Sequence, residues 1–237
     1  MIKSKNAIIL ARRDSKGIPG KNWIDMGGIP LIKWSILAAL EDDVCDCVVV
    51  STDSNEIKQI CESMNDKRII CLSRPKCYST DSSPSELSLL HACSTLTLPD
   101  DCKICFLQPT SPFRYGEVIK NCLNLLTKGN SVFTAFKHTP LFWKKDESNN
   151  AIPQYSERKM RQDFSSEEFL WHDCGNAYAF YKDDFCRHGN RHFGLCSIVE
   201  CDAVQSMQID NFNDLDICRK VIELDSVKKW YTKIANL

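Results

Sequence analysis

The chain has 237 residues, 43% of them hydrophobic and 26% charged, which suits one α/β domain with room for an insertion and excludes wholesale disorder. Thirty basic residues oppose 31 acidic ones, so no global field favours a nucleic acid or membrane partner. No apolar run approaches the ~20 residues that span a bilayer, and the run Ala7 to Ala11 is too short for a signal-peptide core, so the expected location is cytoplasmic. From that point strand-like apolar runs alternate with helix-like segments, the pattern of a mainly parallel sheet covered by helices.

Ala7-Ile8-Ile9-Leu10-Ala11 is a short continuous apolar run, as in a strand buried on both faces. A Gly/Pro/Lys-rich loop follows, and Leu31 to Leu40 then has helical spacing behind a Gly27-Gly28 turn and Pro30. The next predicted elements are the strand Cys47 to Val50, ending at Thr52-Asp53, a helix from Ser54 to Met64, and the strand Arg68 to Leu72. Ser83 to Leu96 is predicted helical, with Pro84 in the first turn and Glu86 placed for a capping box. The strand Lys103 to Leu107, the helix Tyr115 to Leu126 and the strand Ser131 to Phe136 follow. From 138 to 173 the rhythm breaks into a polar, irregular stretch, read as an inserted lid or dimerisation arm. A strand at Asn176 to Tyr181 and an amphipathic helix from Asp214 to Trp230 complete the expected single domain, 1–237.

Fourteen cysteines are scattered along the chain, with one CxxC at Cys102 and Cys105 and no second pair at zinc-finger spacing. They read as reduced, mostly buried small hydrophobes; a structural metal at Cys102/Cys105 is the alternative.

In doubly wound folds ligands sit outside the carboxyl ends of the strands. Those ends carry Arg12 to Asn22, Thr52-Asp53, Arg74 to Ser85 and Gln108 to Arg114. The loop after the first strand places Arg12, Arg13, Lys16 and Lys21 beside Gly17 and Gly20. Cations offset phosphate charge, and glycines let backbone N–H groups approach a ligand, so the loop suits a polyphosphate. It matches neither GxGxxG nor GxxxxGK[ST]; a solvated basic turn is the bland reading of the same residues.

The segment Ala11-Arg12-Arg13-Asp14-Ser15-Lys16-Gly17-Ile18-Pro19-Gly20-Lys21-Asn22 resembles the ARxxSKGxxxKN signature of the CMP-sialic acid synthetases, the N-acylneuraminate cytidylyltransferases. Family-like pieces follow in order: Val50 to Asp53, Arg74-Pro75 with Asp81, Gln108-Pro109-Thr110-Ser111-Pro112-Phe113-Arg114, Arg161-Gln162, Gly175 to Tyr178, and Gln208-Ile209-Asp210 with Asp214. The related KDO cytidylyltransferases have a different first loop and fit less well.

The resemblance implies a Rossmann-like, doubly wound, mainly parallel mixed sheet of the nucleotide-diphospho-sugar transferase type. It implies transfer of CMP from CTP to a nonulosonic acid, with Mg²⁺ as cofactor and a homodimer formed through the arm. By position, Leu10, Ala11, Arg12 and Asn22 should line the CTP pocket with Lys21 on the phosphates. Arg74, Ser83 and Ser85 should contact the base and ribose region. Gln108, Thr110, Arg161 and Tyr178 should face the sugar acid, with Lys144 on the same side and Phe193 walling that pocket. Tyr178 also fits a strand core, and Thr110 to Pro112 also fits a rigid strand-end turn.

Arg12, Lys21 and Asp210 are the expected catalytic groups, and Asp210 with Gln208 the expected metal ligands. Gln208 stands where the family has an aspartate; in a strand, residues two apart face one side, so it should converge with Asp210 on one ion, as a weaker neutral ligand. The alternatives are the same reaction on legionaminic or pseudaminic acid, or a binding homologue that lost catalysis through Gln208. No histidine presents itself as a base.

Overall fold

The continuous apolar runs of the first half are strands with both faces covered. In this computed structural model, which describes residues 4–235, they are β1 (Lys5–Leu10), β2 (Cys47–Thr52), β3 (Ile69–Ser73) and β4 (Lys103–Leu107). After them come β5 (Ser131–His138), the short pair β6 (Trp143–Lys145) and β7 (Ala151–Pro153), β8 (Leu170–Tyr181) and β9 (Cys196–Cys201). The helices are α1 (Leu31–Leu40), α2 (Asn55–Ser63), α3 (Ser85–Thr95), α4 (Gly116–Leu125), α5 (Lys182–His188), α6 (Phe212–Val221) and α7 (Asp225–Ala235).

Seven strands make the central sheet in the order β3-β2-β1-β4-β8-β5-β9. All are parallel except β8, which runs antiparallel to both β4 and β5. This is the mainly parallel mixed sheet that was expected. Alternate residues of each strand feed opposite cores. Ala7, Ile9, Val48, Val50, Cys105 and Leu107 pack with α1, α4 and the C-terminal helices, whereas Ile8, Val49, Ile104 and Phe106 pack with α3 and α5. Strand order reverses at β1, which has β2 on one side and β4 on the other, so the crevice of a doubly wound sheet opens above the carboxyl ends of β1 and β4.

Several expectations are corrected. The arm is shorter than 138–173, because β5 runs on to His138 and β8 begins at Leu170, with His138 paired to Leu170. Between them lie the β6–β7 hairpin and two short 3-10 turns. The C-terminal helix is two helices, broken at 222–224; the break lets Trp230 and Tyr231 of α7 fold back against Trp34. No capping box forms on α3, which starts at Ser85 with Pro84 before it, and Glu86 bonds Arg191 instead. β9 and α5 complete the sheet and one face without having been expected. None of the fourteen cysteines forms a disulfide, and ten of them are buried.

Candidate active site

The crevice holds a cavity of about 330 Å³ whose walls come from four separate segments. Leu10, Arg12, Lys21 and Asn22 come from the loop after β1, and Arg74 follows β3. Ser83 and Ser85 enter α3, and Gln108 and Thr110 follow β4. Nine of the expected site residues therefore share one cavity. Ala11 is fully buried beneath it.

The first loop is anchored before any ligand arrives. The Asn22 side chain donates to the Arg12 carbonyl at 2.8 Å, and Gly20 takes a left-handed conformation (φ 68°) that brings in the 3-10 turn Lys21–Trp23. Gly17 has a different reason to lack a side chain: a Cβ there would run into the backbone carbonyl of Asp210. Lys21, with only 11% of its side chain exposed, donates to the Ile209 carbonyl (2.9 Å) and to Asp210 Oδ1 (3.1 Å). Ile209 N–H in turn donates to the Thr110 carbonyl at 2.8 Å. Segment 209–210 thus straps the loop after β1 to the loop after β4.

Two cations of the loop are held by one carboxylate. Asp81 pairs with Arg12 at 2.5 Å and with Lys16 at 3.4 Å, and the Arg12 hydrogen bond holds the Asp81 carboxyl below its usual range. Arg74 is buried, and burial lowers its pKa while Asp53, 3.9 Å from Nη2, opposes that shift. Nη1 donates to Ser88 Oγ at 3.4 Å, whereas Nε and Nη2 are buried without a hydrogen-bond partner. Unsatisfied guanidinium donors cost free energy unless a ligand acceptor meets them, which makes Arg74 a built recognition group.

Beyond Phe106 lies β8, paired with β4. Gln108 is held through its carbonyl by Arg114, which is fully buried and also donates to Ser35 Oγ and to both oxygens of Asn176. Burial lowers the Arg114 pKa to about 10, so it stays charged at neutral pH. Next to Asn176, Gly175 has φ 66°, and a Cβ there would collide with the side-chain amide nitrogen of Gln208 and the side-chain amide oxygen of Gln108. Gln208 donates that nitrogen to the Cys174 carbonyl. Residues 207–209 are irregular, not the strand that would have set Gln208 and Asp210 side by side.

The remaining expected residues lie elsewhere. Tyr178 is buried in β8, stacked on Phe106 (5.6 Å between centroids), and its hydroxyl donates to Asp173 at 2.9 Å. Phe193 is buried against His188 and does not line the cavity. Lys144 is exposed on β6, and Arg161 lines a separate depression with Phe169 and Phe136. Asp173, Arg191 and His192, gathered around Tyr178 with Glu86, were not among the expected site residues, and Glu86 was read only as a cap; no periodic signal joins a strand residue to a loop almost twenty positions on.

Of the two expected metal ligands Asp210 is the carboxylate: it is 67% exposed and pairs with Lys21. Asp214 is occupied in capping α6 through the N–H groups of Asp210 and Asn211. Among the described residues no three His, Cys, Asp or Glu side chains come together as a metal site. The donor set fits one ligand to an ion carried by a polyphosphate, a manner in which Mg²⁺ is commonly bound, and Gln208, turned to Cys174, does not add a second.

An N-acylneuraminate cytidylyltransferase A from Danio rerio is 33% identical over 216 residues, covering 86% of this chain and 47% of its own length. The chain thus spans about half the length of that relative, or less in the case of others like it. A pseudaminic acid cytidylyltransferase from Campylobacter jejuni is 28% identical over 90% of this chain and 93% of its own. In fold, a CMP:2-keto-3-deoxy-manno-octonic acid synthetase solved with CTP matches at a TM-score of 0.67 and 15% identity, over 92% of this chain and 98% of that one. The cytidylyltransferase family model aligns with residues 6–197, from the first residues of β1 into β9. With most of its length inside that model, the chain belongs to the cytidylyltransferase family.

Proposed function

We propose that the protein activates a nonulosonic acid with CTP, giving the CMP-sugar and pyrophosphate. The observation that carries this reading is the convergence of Arg12, Lys21, Asn22, Arg74, Ser83, Ser85, Gln108 and Thr110 on one cavity at the switch point of the sheet. The anomeric hydroxyl oxygen of the acid bonds to the α-phosphorus and gives up its proton to solvent, the bond from that phosphorus to the bridging oxygen breaks, and pyrophosphate leaves with the electron pair. Such transfers depend mostly on positioning and charge stabilisation. Arg74 offers unsatisfied donors to the nucleotide, and Arg12 and Lys21 stabilise the charge that gathers on pyrophosphate. Both must first exchange their carboxylate partners, Asp81 and Asp210, for phosphate oxygens.

Mg²⁺ entering with the triphosphate would find Asp210 as its protein ligand, and such an ion offsets phosphate charge. Gln108 and Thr110 hold the acid. Lys144 and Arg161 belong to the arm, where Phe142, Trp143, Ile152 and Met160 are exposed. That apolar set supports a homodimer through the arm, inserted in a single catalytic domain. The free cysteines support a cytoplasmic location, and no helix among the described residues is long and apolar enough to cross a membrane.

Pyrophosphate release with CTP, Mg²⁺ and sialic, legionaminic and pseudaminic acids tests the reading. Release with one acid establishes reaction and substrate together. CTP binding with no release on any acid would replace it with a binding role. The Campylobacter relative, aligned over nearly its full length, keeps pseudaminic acid as the second substrate reading.

A further inference from the structure

Behind Phe106, which lines the cavity, lies a polar cluster that the reaction as described leaves unused. Tyr178 stacks on Phe106, and Arg191 lies over both rings, 5.0 Å from Phe106 and 4.9 Å from Tyr178, fixed by a 2.8 Å bond to Glu86. Asp173 accepts the Tyr178 hydroxyl at 2.9 Å and the Gly175 N–H at 2.9 Å, both on Oδ1. Its other oxygen faces His192 Nε2 at 3.4 Å, and the carboxylate and imidazole are 37% and 38% exposed. The His192 ring is held edge-on between Tyr178 (5.5 Å) and Phe133 (5.0 Å). Burial and the Asp173 charge raise the Tyr178 pKa, so the phenol remains the donor and Asp173 the acceptor.

We propose that Asp173 and His192 form a specificity-determining subsite that recognises a hydroxyl or amide N–H donor on the end of the sugar acid remote from the anomeric carbon. The placement follows from the cavity. Its phosphate-facing cations, Arg12 and Lys21, lie at the loop after β1, whereas Asp173 is joined to the opposite wall through Gly175, which abuts Gln108. A carboxylate oriented by two fixed donors accepts a third hydrogen bond without reorganisation, and an acid lacking that donor leaves the carboxylate unpaired. The aromatic frame holds His192 to close the other side.

This inference rests on the proposed function, and a binding experiment separates the two. Each acid, and a series of its monodeoxy and N-deacylated analogues, is titrated calorimetrically into wild-type protein saturated with a non-hydrolysable CTP analogue. Asp173→Asn and His192→Phe are treated alike, with folding checked by thermal unfolding. The expected result is at least tenfold weaker acid binding in Asp173→Asn with CTP-analogue affinity within twofold of wild type. One analogue should lose tenfold against the parent acid in wild type and less than twofold in Asp173→Asn. If wild type binds no acid, the functional reading fails and this one with it. If wild type binds an acid but both variants bind it within threefold of wild type, or lose acid and nucleotide affinity together, the subsite is overturned alone.

Discussion

Replacing Arg114 tests whether a buried cation organises the wall at Gln108. Its guanidinium is fully buried and donates to Gln108 O, Ser35 Oγ, Asn176 O and Asn176 Oδ1, three of these contacts being 2.8 Å from separate nitrogens. None of these partners is a carboxylate, so the charge is solvated by backbone and side-chain dipoles alone. Arg114→Met keeps much of the volume and removes every donor. Each orphaned buried acceptor costs about 1–3 kcal/mol, while removal of the charge returns part of a desolvation cost of several kcal/mol. The orphaned acceptors win: several of them at that cost outweigh the part returned, for a net loss on the order of 3 kcal/mol, or roughly 10 °C in Tm for a chain of this size. Arg114→Lys retains the charge but not the planar fork, and should fall between the two. Urea unfolding followed by tryptophan fluorescence reads this directly, with an unchanged m-value expected. An Arg114→Met protein within 1 kcal/mol of wild type would refute the reasoning, because it would mean that desolvation of the cation cancels its hydrogen bonds.

Gly175→Ala forces a side chain into left-handed backbone and onto two amides, and should cost roughly 1–3 kcal/mol while abolishing acid binding and sparing CTP binding, as calorimetry can check. Gln208→Asp loses the donor to the Cys174 carbonyl and brings a carboxylate towards two carbonyl oxygens; a drop of about 1–3 kcal/mol in unfolding free energy is expected, and a more stable variant would contradict the observed amide orientation. Hydrogen bonding from Cys201 lowers the Cys174 thiol from its ordinary 9.0 to about 6. A lowered folded-state value means stabilisation present above pH 9 and lost as pH falls through about 6. The stability difference between wild type and Cys174→Ser should therefore narrow from pH 9 to pH 6 in denaturant titrations, and a flat difference would exclude a native-state thiolate.

Most of the sheet was legible because a strand buried on both faces reads as an unbroken apolar run, as in Ala7–Leu10 and Cys47–Val50. α5 escaped notice for the opposite reason: in seven residues only Asp184 and Phe185 are buried, too few to show a period. β9 is an edge strand with a mixed pattern and gives no clean alternation. The nucleotide-side residues were readable as a motif because they sit in contiguous loops at strand ends. The acid side was readable only in part, since Asp173 meets His192 through tertiary contacts: Ser131 holds the backbone of Phe193, and Asn130 that of Leu195. Gln208 misled because the expectation rested on strand alternation in a segment that is irregular.

The strap from Lys21 to Ile209 and Asp210 spans 188 positions of sequence. Closing a loop of that length is an entropic cost met only when both ends are already placed. The first loop therefore has its full set of contacts only when segment 209–210 is docked on Thr110. A nascent or truncated chain ending before residue 208 would carry the whole basic signature and still lack a formed crevice, so a half-made protein would not sequester nucleotide.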